Sequence, residues 1–565
     1  MRRTSIVVPP SATLDERIGV LFPPGAIYRC EPEAMGTLVE RRMRQMSSDI
    51  RSKPDWVEMI NDTNTRASWA AEAKAMDLTD VEFAYVVDEL AYYASLQSPG
   101  SSVRLSAADG VWFSDTLIDA ETANQLKDYA AILESVPNRQ KDWYPNDRSR
   151  ILNLIDPSLY PLTYSRSKLC HQTSMSPQGA LKIEDKGEFP GSLDGWRKAL
   201  NVNEDGKSDY YLPTGVLGYG CYFSDMFCWL PSEFCVNDDG AVTVESYINN
   251  LHPVRHAALY PIIASVFAKF LPLLEHVVTD LVHPRQQRVK PDCYRYYTSD
   301  EPMPEYSDYE EVRDWKRAAT FVHPQPEPFV APARPVDSYN LRGRRLQAIV
   351  KMTNIELNSK RPIYGGNDWC VVGLANERII ATGLYFYDVA NIAPSSLRFR
   401  EAICAWDFSV EQFDIDSVVN AYGMDRSHLM EGDLISQELG SVGINDGLCL
   451  VFPNILQHKM PELKLVDKKK SGHCKILAFY FVDPSTRIPS TEIVPPQQQD
   501  WCFEDALMSE PFCSLPQLVV DGIMDKVDFP ISFKEAKKLR LQVCQEDSNA
   551  DTSFDFFEPH VYFSA

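Results

Sequence analysis

The chain has 565 residues, more than one hydrophobic core ordinarily supports, so two or three packed regions are expected. Apolar residues make up 44% and aromatics 11%, a balance that excludes a fibrous or disordered chain and leaves enough core for a buried ligand pocket. With 56 basic against 79 acidic side chains the formal charge is -23, which argues against broad binding to nucleic acid or to an anionic membrane.

Residues 1–50 read as an irregular arm punctuated by Pro9, Pro10, Pro23 and Pro24, and the opening MRRTSIVVPP has too short an apolar run for a signal peptide. Residues 51–140 read as a helical region. Trp56, Met59 and Ile60 recur at helix spacing, as do Phe83, Val86, Val87, Leu90 and Tyr93, with Asp80 and Asp119 placed to cap helices. Residues 141–340 mix helix and strand. Val242–Tyr247 alternates like a strand after an Asn237–Gly240 turn, and 301–340 form a proline-rich belt. The apolar run Tyr260–Val278 holds Lys269, Glu275 and two prolines, which suits a buried helix better than a membrane span.

From Gln347 the period changes. QAIVKMTNIEL, DWCVVGL, RIIATGLYFYD, LCLVFPN and KILAFYFVDP are short β-rich segments between turns, a spacing that predicts an antiparallel barrel or jelly roll over 341–500. Residues 501–565 follow as a C-terminal extension against the barrel's outside. The thirteen cysteines include no CxxC pair, and Cys221, Cys228 and Cys235 recur every seven residues without a histidine pair, so reduced thiols of a cytoplasmic protein are expected. Three basic stretches, Arg285–Lys290, Arg342–Lys351 and Lys468–Lys475, are either separate solvated faces or the parts of one anion-binding surface.

Longer strings carry a resemblance. Lys53–Trp56 (KPDW), Asp156–Pro161 (DPSLYP), Ser246–Pro253 (SYINNLHP), Trp369–Asp388, Phe452–His458, Gly472–Pro484 and Val494–Gln498 resemble a large fungal family of unknown function. Its members look like iron(II)/2-oxoglutarate oxygenases, with motifs Trp-His-x-Glu-Gly, Gln-His-Arg and Gly-His-Arg-Lys. The resemblance implies an α+β chain, helical at the N-terminus, with a C-terminal double-stranded β-helix. In such a site two histidines and a carboxylate hold one face of iron, and an arginine clamps the cosubstrate's far carboxylate. Here Cys370 stands at the first histidine, Val372 at the carboxylate and Cys474 at the arginine, while His458 matches. The expectation is therefore no metal and no cofactor.

His458 is either a general acid or base or a leftover histidine bonded to backbone. Cys370 is either an inert thiol or, with a lowered pKa, a nucleophile. Period-2 alternation puts Cys370 and Val372 on one face and Trp369 on the other. Trp369, Val372, Cys474 and one face of the Tyr385–Tyr387 strand are the expected substrate contacts. Asn249 and Asn250 are expected either to bind ligand polar groups or to cap a helix, and Glu377 and Arg378 to form a structural ion pair. No phosphate loop, HExxH or GxSxG motif occurs. The leading expectation is a non-oxidative enzyme of specialised metabolism acting on a small molecule. The most concrete candidate is a tRNA-dependent, arginine-containing cyclodipeptide synthase, with aminoacyl-tRNA as partner and no membrane partner. A metal oxygenase with unusual ligands and a noncatalytic ligand-binding pseudo-enzyme are the alternatives.

Overall fold

The computed structural model describes residues 35–557 apart from internal stretches, of which 189–223, 403–413 and 427–435 are the longest. The proline-punctuated segment before residue 35, Cys221 and Arg285 lie outside the described residues. The end of the expected arm is not irregular. Leu38–Ser52 forms helix α1, capped by Thr37, whose hydroxyl accepts from the Glu40 N–H. Helix α2 (Asp80–Leu96) is capped by Thr79 rather than by Asp80: the Thr79 hydroxyl accepts from Glu82 N–H while the Glu82 carboxylate accepts from Thr79 N–H.

The expected helical region is interrupted by strands β1 (Arg104–Leu105) and β2 (Trp112–Ser114), which join the main sheet. Helix α3 (Ala120–Glu134) follows, capped by Asp119 as its sequence predicts. Next come β3 (Asp142–Trp143), β4 (Ile151–Ile155), β5 (Ser232–Val236) and β6 (Val242–Val244). The apolar run forms helix α4 (Leu259–Val282), long and apolar enough to cross a membrane by length and composition. In this fold it packs across a sheet. The proline-rich belt is partly helical, over Tyr309–Ala318.

The barrel segments supply β7 (Arg344–Leu357), β8 (Ile379–Ala390), β9 (Ser396–Ala402), β10 (Ser436–Gly443), β11 (Cys449–Pro453), β12 (Gln457–Lys459) and β13 (Gly472–Val482). All their pairings are antiparallel. The main sheet runs β1-β2-β11-β8-β13-β7-β4-β3, with β5 also on β7 and β6 on β5. A second sheet runs β10-β9-β12, and the segment DWCVVGL joins it through a single bridge, Cys370 to His458. Along the chain the segments thus pass repeatedly between the two sheets. The architecture is mixed α and β with antiparallel sheets.

Pleating sorts the side chains of the main sheet into two clusters. Ile349 and Ile355 of β7, Leu384 and Phe386 of β8, Leu450 and Phe452 of β11, and Cys474, Ile476 and Tyr480 of β13 face the second sheet. Their neighbours Val350, Tyr385, Tyr387, Val451, Phe479 and Phe481 share the other face with α4. There Phe267 stacks on Phe234 at 4.3 Å between ring centres and meets Phe479 edge-on at 5.3 Å. The C-terminal helix α5 (Phe533–Phe557) does more than cover the exterior: Leu539 and Val543 join the cluster between the sheets.

Gly383 of β8 lies directly beneath Phe270 of α4. A Cβ there would lie 2.9 Å from the Phe481 ring and 3.1 Å from that of Phe270. Gly383→Val should therefore cost about 1–3 kcal/mol of stability by overpacking. Adding Phe270→Leu should recover part of that loss, read as urea midpoints of the single and double variants.

Candidate active site

Cys370 and His458 face each other across the second sheet. Their backbones exchange both hydrogen bonds, Cys370 N–H to His458 O at 3.1 Å and His458 N–H to Cys370 O at 3.0 Å. Directly opposed residues project to the same side, and Cys370 Sγ lies 4.0 Å from His458 Nε2. That is the outer limit of a thiol–imidazole hydrogen bond. The His458 ring rests against Phe452 at 5.1 Å, which sets the pair at the edge of the apolar cluster between the sheets.

A third residue, which sequence reasoning missed, completes the group. Asn367 Nδ2 donates to Cys370 Sγ at 3.3 Å, and Asn367 Oδ1 accepts from Met460 N–H at 2.5 Å. Its position depends on Gly366, whose φ is +82° and where a Cβ would lie 2.6 Å from the Met460 carbonyl oxygen. The visible signal was the Gly365-Gly366-Asn367 turn three residues before the cysteine.

Burial pushes the His458 imidazole down to about 4, so it is neutral at pH 7. Its Nδ1 is buried with no hydrogen-bond partner. If Nε2 is to accept from the thiol, the proton sits on Nδ1, and an unsatisfied buried donor costs about 1–3 kcal/mol. A ligand acceptor at Nδ1 would remove that cost.

The remaining candidates divide sharply. Val372 packs beside the inner cluster, and its carbonyl accepts from Asn454 Nδ2 at 2.8 Å. Cys474 lies in the inner cluster with its thiol pushed up to about 12 by burial, then by Asp388, so it stays a neutral core group. Trp369 is not a pocket contact. It lies on the opposite side of its strand from Cys370, with the Arg400 and Arg398 guanidinium groups 4.9 and 5.4 Å from its ring centre. Tyr385 and Tyr387 are not pocket contacts either: both belong to the α4-facing cluster, where the Tyr387 hydroxyl donates to Asn354 Oδ1 at 3.2 Å.

Asn249 and Asn250 neither cap a helix nor face the pair. Their Nδ2 groups bind the carbonyls of Asp156, Leu159 and Tyr160, and their Oδ1 atoms accept from Gln498 Nε2. They fasten three chain segments together. Glu377 accepts from the N–H groups of Trp229 at 2.8 Å and Leu374 at 2.7 Å, and burial raises its carboxyl to about 7. One residue of each basic stretch is tied to its own carboxylates: Arg288 to Glu89 and Asp109, Arg345 to Glu245 and Glu492, Lys475 to Glu134 and Asp388.

An iron site of two histidines and a carboxylate does not fit these residues. Val372 offers no side-chain lone pair, and among the described residues no three His, Cys, Asp or Glu side chains converge. A metal-bound histidine normally anchors its second nitrogen to a partner, and His458 Nδ1 has none.

A family profile described as "Protein of unknown function (DUF4246)" matches residues 80–505, and one described as "Domain of unknown function DUF4246, N-terminal" matches residues 8–72. No curated protein matches the chain. Among solved structures, IDO from Bacillus thuringiensis is 9% identical over 27% of this chain with a TM-score of 0.16, and the chain spans only 50% of that protein. A selenomethionine-labelled Fe(II)/(alpha)ketoglutarate-dependent dioxygenase, TqaL, is 10% identical over 65% of this chain and 90% of its own, with a TM-score of 0.21. Both likenesses are too slight to bear on fold or chemistry.

The buried imidazole makes a testable contribution to acid sensitivity. Its folded pKa of about 4 lies below the ordinary 6.5, so the unfolded chain binds the extra proton first. The stability it supplies is complete above pH 6.5 and is lost as pH falls toward 4, up to about 3 kcal/mol. His458→Phe should flatten that part of the stability–pH curve, measured by denaturant unfolding between pH 7.5 and pH 4. Parallel curves for the two proteins would show that His458 titrates normally.

Proposed function

The chain belongs to the DUF4246 family, a family of unknown function, and we propose that it is a non-oxidative acyl-transfer enzyme whose β segments form a double-stranded β-helix around the reacting groups. The barrel reading is supported by the passage of consecutive segments between two antiparallel sheets, β7, β8, β11 and β13 in one and the Cys370 segment, β9, β10 and β12 in the other. The catalytic reading is carried by one observation, the 4.0 Å approach of Cys370 Sγ to a buried, neutral His458 Nε2.

In this reading His458 Nε2 takes the Cys370 thiol proton, and the Asn367 amide steadies the thiolate. The thiolate attacks the carbonyl carbon of an activated ester. The C–O bond breaks, the leaving alcohol takes the proton from His458, and a thioester remains on Cys370. An amine then attacks that carbonyl, the C–S bond breaks, and the amine's proton passes through His458 to the sulfur. Atoms and charge balance without metal or redox partner. The 4.0 Å separation is loose, as such pairs often are before substrate binds.

The substrate class is an acyl or aminoacyl ester, and the most concrete member is an aminoacyl-tRNA giving an arginine-containing cyclodipeptide. That choice rests on a family association alone, with no matching motif. Arg288, Arg345 and Lys475 are already paired with carboxylates in separate places, so an acceptor stem would need other contacts.

Intact-mass analysis after acid quenching tests the reading, with arginyl-tRNA and small amino-acid esters as donors. The expected result is an acyl adduct on Cys370 that is absent in Cys370→Ala and forms about 100-fold more slowly in His458→Gln. Donor turnover undiminished in Cys370→Ala would exclude the cysteine as nucleophile. Stoichiometric iron together with succinate release from 2-oxoglutarate would favour the oxygenase alternative instead.

A further inference from the structure

Two short strands outside the two large sheets, Ile363–Tyr364 and Leu463–Lys464, pair antiparallel as a small ribbon. Its register sets Ile363 opposite Lys464. Leu465 N–H donates to Pro362 O at 3.1 Å, and the same register places Arg361 beside Val466. Alternation gives the ribbon two unlike sides. Tyr364, Leu463 and Leu465 are buried in the cluster between the sheets, while Ile363, Lys464 and Val466 face outward. Val466 is 67% exposed and Ile363 40%.

Cations gather around these two aliphatic side chains. Lys360 sits in the tight turn that leads into the ribbon, closed by paired hydrogen bonds between Asn358 and Arg361. Lys468, Lys469 and Lys470 are exposed in the turn that leaves it. Over residues 358–364 and 462–470, Lys360, Arg361, Lys464 and these three lysines are set against only Glu462 and Asp467. Glu462 holds Lys464 at 2.5 Å, and Asp467 lies 3.9 Å from Lys470. Among the described residues, Lys360, Lys468 and Lys469 have no ion-pair partner.

The lysine turn is built to hold its shape. Asn391, with φ +55°, donates from Nδ2 to the carbonyls of Asp467, Lys470 and Ser471 at 3.0, 3.1 and 3.3 Å. Its Oδ1 accepts from Asp467 N–H at 2.8 Å, and Asp467 Oδ1 accepts in turn from Lys469 N–H at 2.9 Å. Neighbouring lysines repel one another, so the fold holds like charges together at a cost that an external anionic surface would relieve.

The residue types discriminate among anionic partners. Protein interfaces are depleted in lysine. Single-stranded nucleic acid is gripped by exposed aromatic side chains, and the ribbon's aromatic, Tyr364, is buried. Compact ammonium groups around exposed aliphatic side chains match a layer of lipid headgroups over its acyl boundary. The formal charge of -23 belongs to the chain as a whole. Fields are screened beyond about 8 Å at physiological salt, so headgroups touching the ribbon meet its cations first.

We propose that this ribbon docks on an anionic lipid surface, with its lysines at the headgroups and Val466 and Ile363 at the acyl boundary. The contact is independent of the chemistry at Cys370. It makes the protein peripheral to a membrane while α4 stays packed on its sheet.

The test is co-sedimentation of the full chain with phosphatidylcholine vesicles, with and without about 30% phosphatidylserine, over a range of salt. Binding should require phosphatidylserine and weaken steeply as salt rises. Lys468→Glu, Lys469→Glu and Lys470→Glu together should reduce it about tenfold or more. Val466→Ser should weaken it about threefold and leave the salt dependence unchanged. An unchanged thermal midpoint checks that each variant folds. No phosphatidylserine-dependent binding by wild type overturns the proposal, whatever the variants do. So does equal binding by wild type and the folded triple variant. Retention of transfer RNA by wild type but not by the triple variant, with no binding to vesicles, would reassign the ribbon to nucleic acid.

Discussion

The structure depends on four neighbouring strands, β11, β8, β13 and β7, being buried on both faces at once. One face is fixed by α4, which lays Phe267 and Phe270 against Phe479, while Phe481 also packs on Phe267. Burying each such ring contributes on the order of 1.5–3 kcal/mol. Because successive side chains point to opposite faces, fixing the outer face fixes the inner one. A slip of one residue in β13 would bring Tyr480 under α4 and turn Phe479 toward the second sheet. The helix packing thus governs where His458 finds Phe452, whose ring lies on the face turned away from α4.

The inner face is apolar, and this decides the chemistry available to its few polar groups. Burial lowers His458, raises Cys474 and keeps both uncharged. Moving a proton from Cys370 to His458 creates two charges in such surroundings, which costs several kcal/mol unless they stay paired. Asn367 directs a donor at the sulfur side of that pair, while the histidine side ends in the unpartnered Nδ1. The site is thus half completed by the protein. A substrate that offers an acceptor to Nδ1 would finish it, so proton transfer is coupled to binding rather than available to every passing electrophile.

Much of this was legible from the residues. The strands of β7, β8, β11 and β13, the Asp119 cap and the burial of α4 follow from local pattern and turn chemistry. Alternation also separated Cys370 from Trp369 correctly. It failed for Tyr385 and Tyr387 because IIATGLYFY is apolar at nearly every position, and a strand buried on both faces carries no sign of which face is inside. Asn249 and Asn250 were misread because their partners lie about ninety and two hundred and fifty residues away.

The same long-range pairing accounts for the basic residues and bears on the substrate. Arg288, Arg345, Lys475 and Arg540 are spent joining elements internally, each against two or more carboxylates. The chain as a whole carries a formal charge of -23. At physiological salt such a field is screened beyond about 8 Å, so it hinders a small monoanion only weakly. A polyanion spreads its charge over many such lengths and meets the field repeatedly. On this electrostatic ground the proposed chemistry is better matched to a small acyl donor than to a whole transfer RNA.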